Sequence, residues 1–210
     1  MATQLKRLAR RAIALGTLGR IRYGTGCARA CHLTFDDGPH PVHTRELLDL
    51  LEFHGARATF FIVGENVERN PEVAEEIVRR GHELGNHSYR HQQFWRRPLA
   101  DQIEEIEATD RLLQAIDGRE AHAFRPPQGR LPARLAVTLL LRGTRIVMWT
   151  RDSEDYRLEA EAIVERLSSQ NPTPGDVLLF HDDGPRAARA LEVMLPRWST
   201  AGLRFAPIPG

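Results

Sequence analysis

His32-Leu33-Thr34-Phe35-Asp36-Asp37-Gly38-Pro39 is a short apolar run that ends in two acids and a turn. His32 to Phe35 reads as a strand, stopped by Gly38-Pro39. Downstream, Val42 to His54 places Leu47, Leu48, Leu50 and Leu51 on one helical face, and Ala58 to Val63 is again strand-like. This strand, helix, strand order repeats along the chain. Pro71 opens a helix that runs through Arg80 and stops at Gly81, the usual asymmetry of helix ends. A short strand follows near Glu83 to Asn86, then an amphipathic helix over Leu99 to Ile116. A strand near Ala123 to Arg125 precedes a helix over Pro132 to Arg142, and Arg145 to Trp149 precedes one over Glu159 to Ser169. Val177 to Phe180 leads into a helix reaching about Trp198, and Leu203 to Ala206 closes the chain as a strand. Repeated strand-helix units with short connections predict an α/β fold with a mostly parallel sheet, closed or nearly closed into a barrel.

The 210 residues suffice for one domain with a sizeable core. Hydrophobic residues at 41% and charged residues at 27% are ordinary for a globular chain. A net charge of +1 gives no reason to expect nucleic acid as a partner. No apolar run approaches the ~18 residues of a transmembrane helix. Positive charge is concentrated in residues 6 to 22, where six basic side chains meet no acid, beside Leu5, Leu8, Ala12 and Leu15 at helical spacing. Arg20 and Arg22 follow the weak apolar stretch, where a secretory signal would have neutral residues. Residues 1–26 are therefore read as a basic amphipathic segment that packs on the domain or makes peripheral contact with an anionic membrane surface. Residues 27–210 form the main domain. Cys27 and Cys31 lack the second pair that a structural zinc site would need and read as thiols near the first strand. With no clear signal, they place the protein in the cytoplasm, at the inner face of the membrane if the basic segment is a tether.

The chemistry sits at strand ends. Asp36, His87, Arg125, Asp152 and His181 each lie at or just past the C-terminal end of an expected strand, the rim on which α/β barrels build their sites. The turn after Phe35 could aim the carboxylates of both Asp36 and Asp37 into one site, although acids there often only cap a helix. His87 and His91, four apart, converge if their segment is helical. With one Asp they make two nitrogens and one oxygen, a set suited to zinc, cobalt, nickel or iron, with open positions for water or substrate. His40, His43, His54 and His82 read as solvated surface histidines. Arg125-Pro126-Pro127-Gln128-Gly129 is a rigid turn whose Arg could pair with a carboxylate. Asp152-Ser153-Glu154-Asp155-Tyr156 offers further acids and an aromatic wall, and His181 follows four apolar residues.

In this order the segments resemble the five motifs of the polysaccharide deacetylases, carbohydrate esterase family four, whose domain is also called the NodB-homology domain. Thr34 to Pro39, His87 to His91, Arg125 to Gly129, Asp152-x-x-Asp155-Tyr156 and Leu179-Phe180-His181 carry the resemblance, with Tyr156 where the family more often has Trp. It covers roughly residues 30 to 207 and is similar in layout to the small chitooligosaccharide deacetylases. It implies a distorted (β/α) barrel and an N-acetylated carbohydrate substrate. Asp37, His87 and His91 would hold a divalent metal, zinc first, with cobalt or nickel as alternatives. Asp36 would be the general base, with Arg125 as its counter-charge. His181 would be the general acid, oriented by Asp155. A backbone N–H near Tyr89 or Gly129 would help the metal stabilise the oxyanion, and Pro126, Tyr156 and Leu179 would shape the substrate pocket. Three other readings use part of the pattern. A related hydrolase could cleave a cyclic imide or amide. An iron oxygenase would leave Arg125, Asp155 and His181 without a role. An inactive sugar-binding module would be marked by loss of the base, a ligand or the acid, all of which are present.

Overall fold

A computed structural model describes residues 21–25 and 29–209. Its strands are β1 (Ile21–Arg22), β2 (His32–Asp36), β3 (Ala58–Ile62), β4 (Glu83–Asn86), β5 (Ile146–Val147), β6 (Arg151–Asp152) and β7 (Val177–His181). Between them lie α1 (His43–Phe53), α2 (Gly64–Arg69), α3 (Pro71–Arg79), α4 (Leu99–Asp117), α5 (Ala133–Leu141), α6 (Ala160–Ser169) and α7 (Arg186–Thr200). The main sheet runs β4-β3-β2-β7-β6, and every pairing in it is parallel. β1 pairs in parallel with β5. Phe124 bridges Asn86 of β4 on one side and Ile146 of β5 on the other. β5 and β6 are two parts of one stretch, and Thr150 between them donates its N–H to Val177 O of β7 at 2.9 Å. The hydrogen bonding therefore returns to its starting strand, and the result is a small, irregular barrel.

Alternation along the strands sorts side chains between two interiors. Leu33, Phe35, Phe60, Ile62, Leu178 and Phe180 face the helices and pack with Leu47, Leu48, Leu51, Leu191 and Trp198. Phe35 lies against Phe60 at 4.9 Å between ring centroids and against Phe180 at 5.9 Å. The intervening Thr34, Asp36 and Phe61 point into the ring. Strands buried on both faces read as nearly continuous apolar runs, which is why β2, β3 and β7 stand out in the sequence.

Other elements are shorter than the sequence suggests. The strands expected at 123–125 and 203–206 reduce to single bridging residues, Phe124 and Phe205. Pro126 and Pro207 follow each bridge closely, and a proline cannot donate to a ladder. α2 has six residues, too few for a helical period to show. Of the basic segment expected over residues 1–26, most lies outside the described residues; its described part includes Ile21–Arg22, which is β1. His82 is not a solvated surface histidine: it is 4% exposed, and its Nδ1 accepts the Ala58 N–H at 3.1 Å. Among the described residues no helix is long and apolar enough to cross a membrane.

Phe60 of β3 is fully buried between Phe35 and His82. Phe60→Ala should lower the unfolding free energy by about 3–5 kcal/mol in a urea titration, the usual cost of emptying such a site. A loss below about 1 kcal/mol would contradict this packing.

Candidate active site

The C-terminal ends of the strands open onto a cleft of about 410 Å³. Asp36 ends β2, His87 follows β4, Arg125 follows the Phe124 bridge, Asp152 ends β6 and His181 ends β7. In the β2–β7 ladder Asp36 is the register partner of His181. Asp37 takes a left-handed conformation, φ 78°, which breaks strand alternation. Its carboxylate therefore enters the same cleft as that of Asp36 instead of the opposite face.

Asp37, His87 and His91 each place one donor atom within 4.8 Å of the others. The two histidines do not converge through a helix turn, as their spacing suggested. They lie on a loop in which Ser88 and His91 have φ 65° and 63°. That loop is held from outside. The Ser88 N–H donates to Asn86 Oδ1 at 2.9 Å, the Arg90 N–H to Glu105 Oε2 at 3.2 Å, and the His91 N–H to Ser88 Oγ at 3.1 Å. His87 Nδ1 lies 2.8 Å from the carbonyl of Arg125. A carbonyl only accepts, so Nδ1 carries the proton and Nε2 presents a lone pair to the cleft, as a metal ligand must.

These residues fit a divalent cation. Asp37 Oδ1 is buried and accepts no hydrogen bond, although His87 Nε2 and His91 Nε2 approach to 3.4 and 3.2 Å. A buried carboxylate oxygen without a donor is costly unless a positive charge meets it. Burial pushes the His87 imidazole down, but the carboxylates of Asp36 and Asp37 more than offset this and raise its pKa. The two carboxylates therefore make the pocket favour positive charge. Its open side leaves room for water or substrate, which marks a catalytic rather than a structural site.

The proton-handling groups flank this tripod. Arg125, fully buried, donates from Nη1 to Asp36 Oδ1 at 2.6 Å. On the opposite side His181 Nδ1 donates to Asp155 Oδ1 at 2.7 Å, and the His181 backbone N–H donates to Asp155 Oδ2 at 2.8 Å. With Nδ1 engaged, His181 Nε2 is the nitrogen left for the cleft. Burial acts to lower the His181 pKa, but the Asp155 hydrogen bond and charge, with Asp36 and Asp37 beyond, push it up to about 10. The Asp36 carboxylate and the His181 imidazole thus flank the three donors from two sides, each held by a partner of opposite charge.

Of the residues expected to meet substrate, Gly129, Tyr156 and Leu179 line the cleft. Tyr156 stands edge-on to His181, 5.8 Å between ring centroids. Two expected residues do not line it. The Tyr89 side chain turns away, donates its hydroxyl to Glu68 Oε2 at 2.7 Å, and borders a separate polar cavity. Pro126 is buried beneath the turn, and its carbonyl takes the Gly129 N–H at 2.9 Å, so that N–H is not free for an oxyanion. Three residues with no role assigned from the sequence stand beside Gly129, Tyr156 and Leu179, namely Gln128, Trp149 and Asp152. All three line the cleft. The signal for Trp149 was present: it ends an expected strand one turn before the Asp152 motif.

Comparison with known proteins is consistent with this geometry. The family model described as polysaccharide deacetylase matches residues 23–144. A peptidoglycan-N-acetylglucosamine deacetylase of Bacillus cereus is 32% identical over 182 residues, covering 84% of this chain and 66% of that protein. The chain thus spans just under two thirds of that relative's length. A chitooligosaccharide deacetylase of Sinorhizobium fredii is 34% identical over 168 residues, covering 78% of this chain and 76% of the relative. A solved peptidoglycan N-acetylglucosamine deacetylase, in complex with a substituted N-hydroxybenzamide, superposes with a TM-score of 0.85 at 30% identity, covering 90% of this chain and 91% of that one.

If Asp155 raises the His181 pKa, Asp155→Asn should remove that charge and bring the imidazole down from about 10 towards its ordinary value of 6.5. An NMR pH titration of the His181 ring in metal-free protein reads this directly. An unmoved midpoint would show that Asp155 does not set it.

Proposed function

The chain belongs to the polysaccharide deacetylase family, and from that premise we propose that it is a metal-dependent hydrolase that removes N-acetyl groups from an amino sugar of a polysaccharide or oligosaccharide. One observation carries the proposal. A three-donor metal site, a carboxylate held by a buried arginine and a histidine held by a carboxylate converge in a single cleft. Metal-assisted amide hydrolysis uses those three functions together.

A divalent cation held by Asp37, His87 and His91 would supply a Lewis acid that acidifies water and polarises the acetamide carbonyl. Arg125 occupies Oδ1 of Asp36 and leaves Oδ2 to take the proton of the attacking water. His181, fixed through Nδ1, gives its Nε2 proton to the departing nitrogen. The transfer is required because an unprotonated amide anion is a very poor leaving group. Water adds to the acyl carbon, the C–N bond breaks, and acetate and the free amine leave. Trp149 and Tyr156 give the cleft the aromatic surfaces on which a sugar ring can rest, and Leu179 gives it an apolar patch for the acetyl methyl. Two nitrogens and one oxygen favour zinc, with cobalt or nickel as substitutes.

The names of the relatives point to peptidoglycan fragments and chitooligosaccharides as first substrates. The basic segment over residues 6–22 supports a place at the inner face of the membrane, where a precursor glycan would be the substrate. Because β1 begins at Ile21, deletion of residues 1–20 tests this without cutting the sheet. Membrane association unchanged by that deletion would remove the support.

Acetate release from both substrate classes, with zinc, with cobalt and after chelation, is the deciding assay. Release should need metal, and Asp36→Asn should lower kcat by about 100-fold or more, the usual worth of a general base. Metal bound without acetate release from any sugar would point instead to a related amide or imide hydrolase.

A further inference from the structure

Asp182 has no part in the chemistry above, yet it is fully buried behind the site, directly after His181. Its N–H donates to the Asp36 carbonyl at 3.2 Å, one step past the end of the β2–β7 ladder. Its Oδ2 accepts the Thr44 hydroxyl at 2.5 Å, and the Thr44 oxygen accepts the His40 N–H at 2.7 Å. The carboxylate also lies flat against Gly38: a Cβ built there would fall 2.1 and 2.4 Å from its two oxygens. It thus fills the inside of the turn from Asp37 to His40. Oδ1 meanwhile is buried without a hydrogen bond. A carboxyl left half-satisfied in the interior costs stability, and an apolar side chain of similar size would cost less. Packing alone does not account for an acid here. What its oxygens do is join two chain segments, the turn that carries Asp37 and the strand end that carries His181.

We infer that Asp182 is a positioning residue that clamps the Asp37–His40 turn onto the end of β7, and so fixes the metal-holding carboxylate relative to the proton-donating imidazole. The inference rests on the deacetylase reading of Asp37 and His181. It assigns the clamp to the placement of the Asp182 oxygens rather than to their charge.

The test uses the full chain loaded with cobalt(II), whose visible bands report coordination geometry independently of catalysis. Three variants are compared with the unaltered chain: Asp182→Ala, Thr44→Val and Asp182→Asn. The second removes one hydroxyl at nearly constant volume, and so decides the matter if Asp182→Ala does not fold. The third keeps an oxygen in place for Thr44. Asp182→Ala and Thr44→Val should weaken cobalt binding by about 10-fold or more, as loss of groups behind a metal ligand does. They should also alter the band shape and lower kcat more than they raise KM. Asp182→Asn should restore affinity and band shape. Folded Asp182→Ala or Thr44→Val protein with unchanged affinity and bands would overturn the inference, as would Asp182→Asn as damaging as Asp182→Ala. An unaltered chain that binds cobalt without releasing acetate would overturn the substrate reading and leave the clamp standing. One that takes up no cobalt would overturn the metal site and the clamp together.

Discussion

The barrel is organised around a guanidinium with no access to water. Arg125 donates to Asp36, to the Thr34 hydroxyl at 2.8 Å, and to the carbonyls of Val147 and Met148 at 3.2 and 3.3 Å. Its flat face lies 4.0 Å from the centroid of the Phe61 ring. Burying a charge costs several kcal/mol unless geometry and hydrogen bonds answer it. Here the answer comes from β2, from β3 and from the stretch that holds β5. Phe124 bridges both neighbours for a single residue before Pro126 ends the run, and Arg125 between them reaches inward to the centre. The Arg125 carbonyl is in turn the acceptor that selects the His87 tautomer. One residue therefore ties β2, β3 and the β5 stretch together, holds Asp36 and orients His87.

The strands of this fold were legible where both faces are buried, as in Ala58 to Ile62 and Val177 to Phe180. The helices were legible where one face is, as in α1. The rim was legible because Asp36, His87, Arg125 and His181 are charged or polar residues directly after apolar runs. Local conformation held by remote partners was not legible. Nothing near His87 and His91 announces left-handed residues, since neither Ser88 nor His91 is glycine; Asn86 from β4 and Glu105 from α4 hold that loop in place. The outward turn of Tyr89 belongs to the same loop and was hidden for the same reason. His82 looked like a surface residue because its partner, the Ala58 N–H, comes from a different strand. Gln128 lies in a turn whose φ of 56° cannot be inferred from Pro-Pro-Gln-Gly alone.

The site also divides by position along the chain. The three residues that could hold a metal ion, Asp37, His87 and His91, come from the β2, α1 and β3–β4 half of the barrel. The hydrogen-bonded pair His181 and Asp155 comes from the β6–β7 half. The halves meet at the β2–β7 ladder, where Asp36 and His181 are in register.

That meeting has a consequence for how the molecule is made. β2 is among the first described strands to be synthesised, and β7, which flanks it in the finished sheet, is the last. Until β7 emerges, one edge of β2 has no partner, an apolar edge of the kind that recruits other chains. Pairing across so long a stretch of sequence is also slow. The candidate metal donors are therefore synthesised well before His181 and Asp182, and the site is complete only when β7 docks. A chain without β7 lacks both the His181 imidazole and the Asp182 carboxylate, and its exposed β2 edge makes it the form most in need of a chaperone.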